Sequence, residues 1–209
     1  MSFKWKVCGM KNRQNIIDVL QFQPDYMGFI FYEKSPRYVG RQWDGPPEDF
    51  PDSTRKVGVF VNQDLEEVVR LVNQYQLDYL QLHGNESPGY CKELNAEGFS
   101  ILKAVSLKES RDLQKLDAYT PWVNYFLFDT PSKQFGGTGR TFDWSLLSQY
   151  RHAVPFFLSG GLSLENLDAV AGLDGLNLWA LDVNSRFEIE PGVKNISKLR
   201  EFKNQLQKL

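Results

Sequence analysis

Eight short apolar segments recur along the 209-residue chain, and their spacing limits the folds that are open to it. Several are almost continuously hydrophobic, which is typical of strands that are covered on both faces in a parallel sheet. The segments are FKWKVCG (3–9), YMGFIF (26–31), KVGVFV (56–61), YLQLH (79–83), SILKAV (100–105), NYFLFDT (124–130), PFFLSG (155–160) and LNLWALDV (176–183). Strands of this kind need both faces covered, and the intervening segments must contribute to that cover.

Helical patterns occupy several of these intervals. Asp64 is placed as an N-cap before a stripe of apolar residues at helical spacing. Ser87 and Pro88 have the residue types of a cap and a first turn, and Gly98 follows the end of that second helix. The alternation of apolar strands with amphipathic helices predicts βα units.

Eight strands, about seven helical units between them and a terminal helix predict an α/β fold, a single-domain (β/α)8 TIM barrel over residues 1–209. An open doubly wound sheet is the alternative fold. No GxGxxG motif follows the first strand, which counts against its dinucleotide-binding form. Residues 40–55 are rich in Pro and Gly, so the second crossover is predicted to be a loop or a single turn.

Charge and cysteine content exclude several classes of function. The net charge is −2 without a basic block, so no nucleic-acid partner is expected. The chain has two cysteines and two histidines but no CxxC or HExxH motif, so no metal site is expected. No apolar segment approaches the roughly 18 residues of a membrane helix, and the first residues lack a signal-peptide pattern. We therefore expect no membrane partner and a cytoplasmic location, where thiols stay reduced.

Functional residues of a TIM barrel gather where strands end and the following loops begin. Gly160 and Gly161 follow the seventh strand and precede a helix that Ser163 is predicted to cap, so backbone amides there could hold a phosphate. An ordinary strand–helix turn is the alternative. The GGTG segment and the end of the eighth strand can reach the same corner. The candidate phosphate-binding residues are Gly137, Gly139, Gly160, Gly161, Asn184 and Ser185.

Four further side chains lie at predicted strand ends. Arg37, in a loop that looks exposed, suits a carboxylate held by two hydrogen bonds, although a solvated arginine is equally consistent. Cys8 ends the first strand, where a small buried hydrophobe is the alternative. Asp129 ends a buried strand and must face water, a partner or a substrate, unless it caps the following turn. His83 is interpreted as part of the site wall and not as a ligand.

Together the motifs resemble the N-(5'-phosphoribosyl)anthranilate isomerase family of tryptophan biosynthesis. They extend from the first strand to the last helix: KVCGM (6–10), GFIFYEKSPRYV (28–39), VGVFVN (57–62), LQLHG (80–84), LFDT (127–130), GGTGRTFDW (136–144), FLSGGL (157–162) and LDVNSRFEIEPGVKN (181–195). The resemblance implies an Amadori rearrangement. An aminoaldose, N-(5-phosphoribosyl)anthranilate, becomes the aminoketose 1-(o-carboxyphenylamino)-1-deoxyribulose 5-phosphate, without cofactor or metal.

The resemblance also implies a role for individual residues. Cys8 matches the general base of the family, and Asp129 matches its general acid. Arg37 matches the arginine that holds the anthranilate carboxylate, and Asp182 matches an aspartate near the ribose hydroxyls. Asn184 stands where a serine is expected, and this difference concerns the affinity for the phosphate. The residues that match the phosphate corner are Gly160, Gly161, Asn184 and Ser185.

The implied chemistry asks for a neutral carboxylic acid and a thiolate at the same time. With ordinary pKa values of about 3.9 and 8.5, that state lies about 4.6 units, or roughly 6 kcal/mol, uphill. We expect nearby amides or cations to lower the pKa of Cys8 and narrow this gap. The loop 131–140 is predicted to close over the substrate and exclude water.

Two kinds of rival protein remain on the same scaffold. A histidine-pathway aminoaldose isomerase is expected to have an aspartate in place of Cys8, and an indole-forming synthase a lysine–glutamate set. A non-catalytic phospholigand sensor would keep SGGL but tolerate the loss of Cys8 or Asp129. Both residues are present, which favours the isomerase. The sequence leaves the oligomeric state open, with a homodimer as the candidate assembly.

Overall fold

The protein is described by a computed structural model that covers residues 3–129, 144–173 and 175–209. Eight parallel strands follow one another in sequence order and close into a barrel, with β1 hydrogen-bonded to β8. The strands are β1 (Lys4–Val7), β2 (Tyr26–Ile30), β3 (Arg55–Phe60), β4 (Tyr79–Leu82), β5 (Ile101–Ser106), β6 (Tyr125–Asp129), β7 (Phe156–Leu158) and β8 (Leu178–Val183). The predicted fold class is confirmed.

In the described residues, the outer layer contains α-helices and 3-10 helices. The former are α1 (Arg13–Leu20), α2 (Leu65–Tyr75), α3 (Pro88–Ala96), α4 (Arg111–Gln114) and α5 (Ile196–Leu206). The latter are Lys115–Ala118, Trp144–Gln149, Leu167–Leu173 and Ser185–Phe187. The Ser87 hydroxyl accepts the Tyr90 amide at 3.2 Å, as a cap should, and Gly98 has a φ of +86° after the helix. Asp64 holds the cap position of α2, but its side chain makes no capping hydrogen bond.

Two connections depart from a regular βα repeat. No helix lies between β2 and β3, as predicted for residues 40–55, all of which the structure describes. Trp43 covers this side of the barrel instead, with its ring centroid 4.9 Å from those of both Phe29 and Tyr75. After β8 the chain forms a hairpin that the sequence analysis did not predict, β9 (Glu188–Glu190) with β10 (Val193–Lys194).

The barrel interior combines an apolar layer with a charged one. Apolar side chains such as Leu102, Leu127 and Phe157 pack together inside the barrel. Lys6 of β1 and Asp182 of β8 are register partners, so their side chains point in the same direction. Both are buried, and they form an ion pair with a 2.9 Å separation. The charged layer includes residues of the candidate site described below, and the apolar layer packs within the same barrel.

Candidate active site

A cavity opens where the barrel strands end, the face on which the functional residues of such barrels gather. Most of the residues singled out in the sequence line this cavity, although they are far apart in the sequence. They are Cys8, Asp129, Gly160, Gly161, Asp182, Asn184 and Ser185. The predicted lid 131–140, with Gly137 and Gly139, lies outside the described residues.

Cys8 follows β1 directly and contributes its thiol to the cavity wall. Its amide donates to the Val183 carbonyl at 2.9 Å, which continues the β1–β8 ladder past the last residue of β1. Gly28 of β2 leaves the room that the thiol needs, because a Cβ atom at position 28 would lie 2.7 Å from Sγ of Cys8. The neighbouring strand therefore determines where the thiol lies.

Lys6 was missed as a site residue in the sequence analysis. Its fully buried ammonium donates to Oε1 of Gln81 at 2.8 Å and to Oδ2 of Asp182 at 2.9 Å, and its charge acts on the thiol of Cys8. The signal was present in the KVCGM motif: Lys6 precedes Cys8 by two positions, so both side chains point to the same face of the strand. The site thus has a cation beside its thiol.

Burial governs the ionisation of this group of side chains. It raises the pKa of Cys8 above its ordinary value, and the charges of Lys6 and Lys194 only partly offset it. The prediction of a lowered pKa for Cys8 is therefore wrong, although the cations that it required are present. For Lys6, burial works against the charge, but Asp182 and Cys8 outweigh it and raise its pKa.

Asp129, the last residue of β6, contacts a histidine. Nε2 of His83 lies 3.2 Å from Oδ2 of Asp129, and Nδ1 of His83 lies 2.7 Å from Nε2 of Gln81. His83 also lines the cavity, in agreement with its interpretation as part of the wall. Gln81 is a second residue that received no role in the sequence analysis. It precedes His83 by two positions, the same spacing that places Lys6 beside Cys8.

Asp182 has one engaged and one unengaged oxygen. Oδ2 pairs with Lys6, whereas Oδ1 is buried and has no hydrogen-bond partner in the described part of the chain. Burial raises the pKa of this carboxyl, against the opposing effect of Lys6. Buried polar atoms are rarely left unpaired, and Asp182 is one of the residues that line the cavity.

Arg37 differs most from its predicted setting. Its side chain is 10% exposed and not solvated, and its Nη2 lies 2.6 Å from Oε2 of Glu188. Nζ of Lys194 lies 2.6 Å from the other oxygen of Glu188. Burial opposes ionisation of Glu188, but the two cations hold its pKa below the usual value. Arg37 is not among the described residues that line the cavity; Glu188 was missed because it lies on the unpredicted hairpin.

The phosphate corner lacks the helix that was predicted for it. The amide of Ser163 donates to Oδ1 of Asn166 at 2.9 Å, and regular 3-10 structure begins only at Leu167. A helix capped by Ser163 is therefore a wrong prediction, because the Asn166 side chain closes a turn in its place. What remains is the backbone of Gly160 and Gly161, with φ values of +79° and +77° that only glycine adopts readily.

The other half of this corner follows β8. Asn184 and Ser185 line the cavity, and Oδ1 of Asn184 accepts a 2.7 Å hydrogen bond from Nζ of Lys194. Burial lowers the pKa of Lys194 to about 8, although Glu188 favours its charge. The corner thus combines flexible backbone, a hydroxyl and a nearby cation, which are groups that bind anions.

Known proteins are similar to this chain over most of its length. A family model described as N-(5'phosphoribosyl)anthranilate (PRA) isomerase matches residues 5–205. The N-(5'-phosphoribosyl)anthranilate isomerase of Parabacteroides distasonis is 45% identical over 205 residues, which cover 96% of this chain and 92% of that protein. The enzyme of the same name from Phocaeicola vulgatus is 39% identical, with 97% of each chain covered.

Solved structures agree with these relatives. The phosphoribosyl anthranilate isomerase of Thermotoga maritima has a TM-score of 0.82 at 32% identity, with 99% of this chain and 100% of that chain covered. A phosphoribosyl anthranilate isomerase in complex with reduced 1-(o-carboxyphenylamino)-1-deoxyribulose 5-phosphate has a TM-score of 0.79 at 30% identity, over 99% and 100% of the two chains. This chain belongs to the N-(5'-phosphoribosyl)anthranilate isomerase family.

Proposed function

We propose that the chain isomerises N-(5-phosphoribosyl)anthranilate to 1-(o-carboxyphenylamino)-1-deoxyribulose 5-phosphate in tryptophan biosynthesis, with Cys8 and Asp129 as the reacting pair. One observation carries the assignment: a thiol and a carboxyl group at the ends of two strands that are far apart in the sequence line the same cavity. General acid–base chemistry needs two such groups within reach of one substrate.

Each group has one proton to move. Asp129, as a carboxylic acid, protonates the ribose ring oxygen, and the ring opens to a protonated imine. Cys8, as a thiolate, removes the proton from C2′ and leaves an enolamine, which tautomerises to the ketone. The positive charge of Lys6 stabilises the thiolate form of Cys8. No cofactor enters this sequence of steps.

Further residues would bind the rest of the substrate. Gly160, Gly161 and Ser185 are assigned to the phosphate, together with Asn184. Asp182 is assigned to a ribose hydroxyl through its unengaged Oδ1. Arg37 is assigned to the anthranilate carboxylate; Glu188 binds its Nε and Nη2 atoms, so contact with the substrate would use Nη1. Closure of segment 131–140, with Gly137 and Gly139, over the substrate stays a prediction.

The proposal also covers the domain organisation, the cellular location and the oligomeric state of the enzyme. One apolar core reaches from Trp5 to Leu206, which supports residues 1–209 as one barrel domain. Within the described residues no helix is long and apolar enough to cross a membrane. The mechanism needs Cys8 as a free thiol, which favours the reducing cytoplasm. The Thermotoga maritima isomerase is described as dimeric, and a homodimer is the assembly that we propose here.

Turnover of substrate labelled with deuterium at C2′ tests the reaction. The fluorescence of the phosphoribosylanthranilate should fall as product forms, and the label should be lost to solvent when Cys8 removes it. Binding without turnover would identify a phospholigand sensor instead. Faster turnover of the aminoaldose of histidine biosynthesis would identify the rival isomerase.

The space that Gly28 leaves for the thiol of Cys8 gives a second prediction. Gly28→Ala should lower kcat at least tenfold, because the new Cβ would lie 2.7 Å from Sγ of Cys8 and displace it. Gly172→Ala is the matched control, since a Cβ atom there meets nothing within 4 Å. Steady-state kinetics of both variants check this. Equal kcat values would show that the position of the thiol is not critical.

A further inference from the structure

Four buried or half-buried side chains connect the two ends of the proposed chemistry. Nζ of Lys6 lies 2.8 Å from Oε1 of Gln81, and Nε2 of Gln81 lies 2.7 Å from Nδ1 of His83. Nε2 of His83 then lies 3.2 Å from Oδ2 of Asp129. The charge of Lys6 also acts on Cys8, so the chain of hydrogen bonds that ends at the acid begins at the cation that favours the thiolate of the base.

The lysine determines the direction of every hydrogen bond in this chain. An ammonium group only donates, so Gln81 must turn its carbonyl oxygen towards Lys6 and its amide N–H towards His83. Nδ1 of His83 must then accept. A neutral imidazole with an accepting Nδ1 bears its proton on Nε2, which donates to Asp129. The flipped amide would place N–H groups against the ammonium.

We propose that Gln81 is a positioning residue that holds His83 as the Nε2–H tautomer and thereby directs the acidic proton of Asp129 at the substrate. The proposal rests on the proposed function. With Nε2–H donating to Oδ2 of Asp129, the proton of the carboxylic acid is favoured on the other oxygen, because a carbonyl oxygen accepts more strongly than a hydroxyl oxygen. In the opposite tautomer, Nε2 would present a lone pair and accept the proton that the substrate needs.

Nitrogen-15 NMR of the imidazole groups tests the tautomer directly. The chain has only two histidines, and a His152→Gln variant assigns their signals. The wild type should show His83 protonated on Nε2. In Gln81→Glu, the carboxylate accepts from Lys6 and from His83 as well, so Nδ1 should become protonated. A wild-type Nδ1–H tautomer, or an unchanged His83 spectrum in Gln81→Glu, would overturn the proposal.

Kinetics give the functional half of the test. Gln81→Met keeps the length of the side chain but cannot hydrogen-bond His83, and Lys6 retains Asp182 as its partner. Both Gln81 variants should lose about ten- to a hundredfold in kcat, with KM within about threefold, as expected when a reacting group is misdirected. A purely structural role would lower thermal stability but leave kcat intact, and that result would overturn the proposal.

Failure of the proposed function and failure of the role of Gln81 would give different results. A wild-type enzyme without turnover contradicts the proposed function, whatever the tautomer of His83. A wild-type enzyme that turns over, with Gln81 variants of equal kcat, contradicts only the role of Gln81. His152→Gln serves as the kinetic control, because His152 contacts the Leu113 carbonyl and lies outside the cavity lining that the structure describes.

Discussion

Replacing Cys8 by alanine is expected to lower kcat by about 10²–10⁴-fold, the usual contribution of a positioned general base. Asp129→Asn should lower kcat by a similar factor, because an amide cannot protonate the ring oxygen. KM should change little in both variants, since neither group is assigned to the phosphate or the carboxylate. The measurement is the initial rate of fluorescence loss at saturating substrate.

Cys91→Ala is the matched control for the thiol. Cys91 is the other cysteine of the chain, and like Cys8 it is buried and free. It packs in the hydrophobic core and not on the cavity wall, so its replacement should leave kcat near the wild-type value. Wild-type turnover by Cys8→Ala would remove Cys8 from the mechanism, and wild-type turnover by Asp129→Asn would remove Asp129.

The pH dependence separates the two roles. A pair that reacts as carboxylic acid and thiolate gives a flat plateau of kcat/KM between its two pKa values and a fall above the higher one. Burial raises the pKa of Cys8, so the wild-type plateau should extend above the ordinary thiol pKa of about 8.5. Asp129→Asn removes the acid, so its residual kcat/KM should rise about tenfold per pH unit until the thiol has ionised.

Replacing Lys6 by methionine is expected to cost about 3–5 kcal/mol of stability, because Asp182 is left as a buried charge without its partner. For a chain of this size, that corresponds to a fall in Tm of very roughly 6–20 °C. Activity should fall as well, since Cys8 loses the nearest cation that favours its thiolate. Thermal unfolding followed by circular dichroism measures the first effect.

A double variant separates stability from activity. Lys6→Met with Asp182→Leu removes both charges, and replacing a buried pair by apolar residues is often neutral for stability. Its Tm should recover most of the loss, while kcat stays low. Arg70→Met is the control, because the exposed Arg70–Glu67 pair should hardly affect Tm. A Lys6→Met variant with the wild-type Tm would show that the buried pair does not support the fold.

The arrangement of strands and helices could be predicted from the sequence because it depends on local patterns. Apolar runs with the length of strands, a cap at Ser87 and a terminal glycine at Gly98 act within a few residues of one another. The lack of a helix in residues 40–55 was predicted for the same reason. Cys8 and Asp129 could be placed on one cavity because a barrel brings all its strand ends to one face.

Contacts between distant residues were decided by the tertiary structure alone. The pairing of Arg37 with Glu188 depends on a hairpin after β8, and 151 positions separate the two residues. Asn166, in place of a helix, satisfies the amide of Ser163. The pKa of Cys8 depends on how deeply closure of the barrel buries it against Lys6. Burial and pairing are sums over neighbours from many strands, so local sequence patterns determine the elements of this protein, whereas the closed barrel determines their electrostatics.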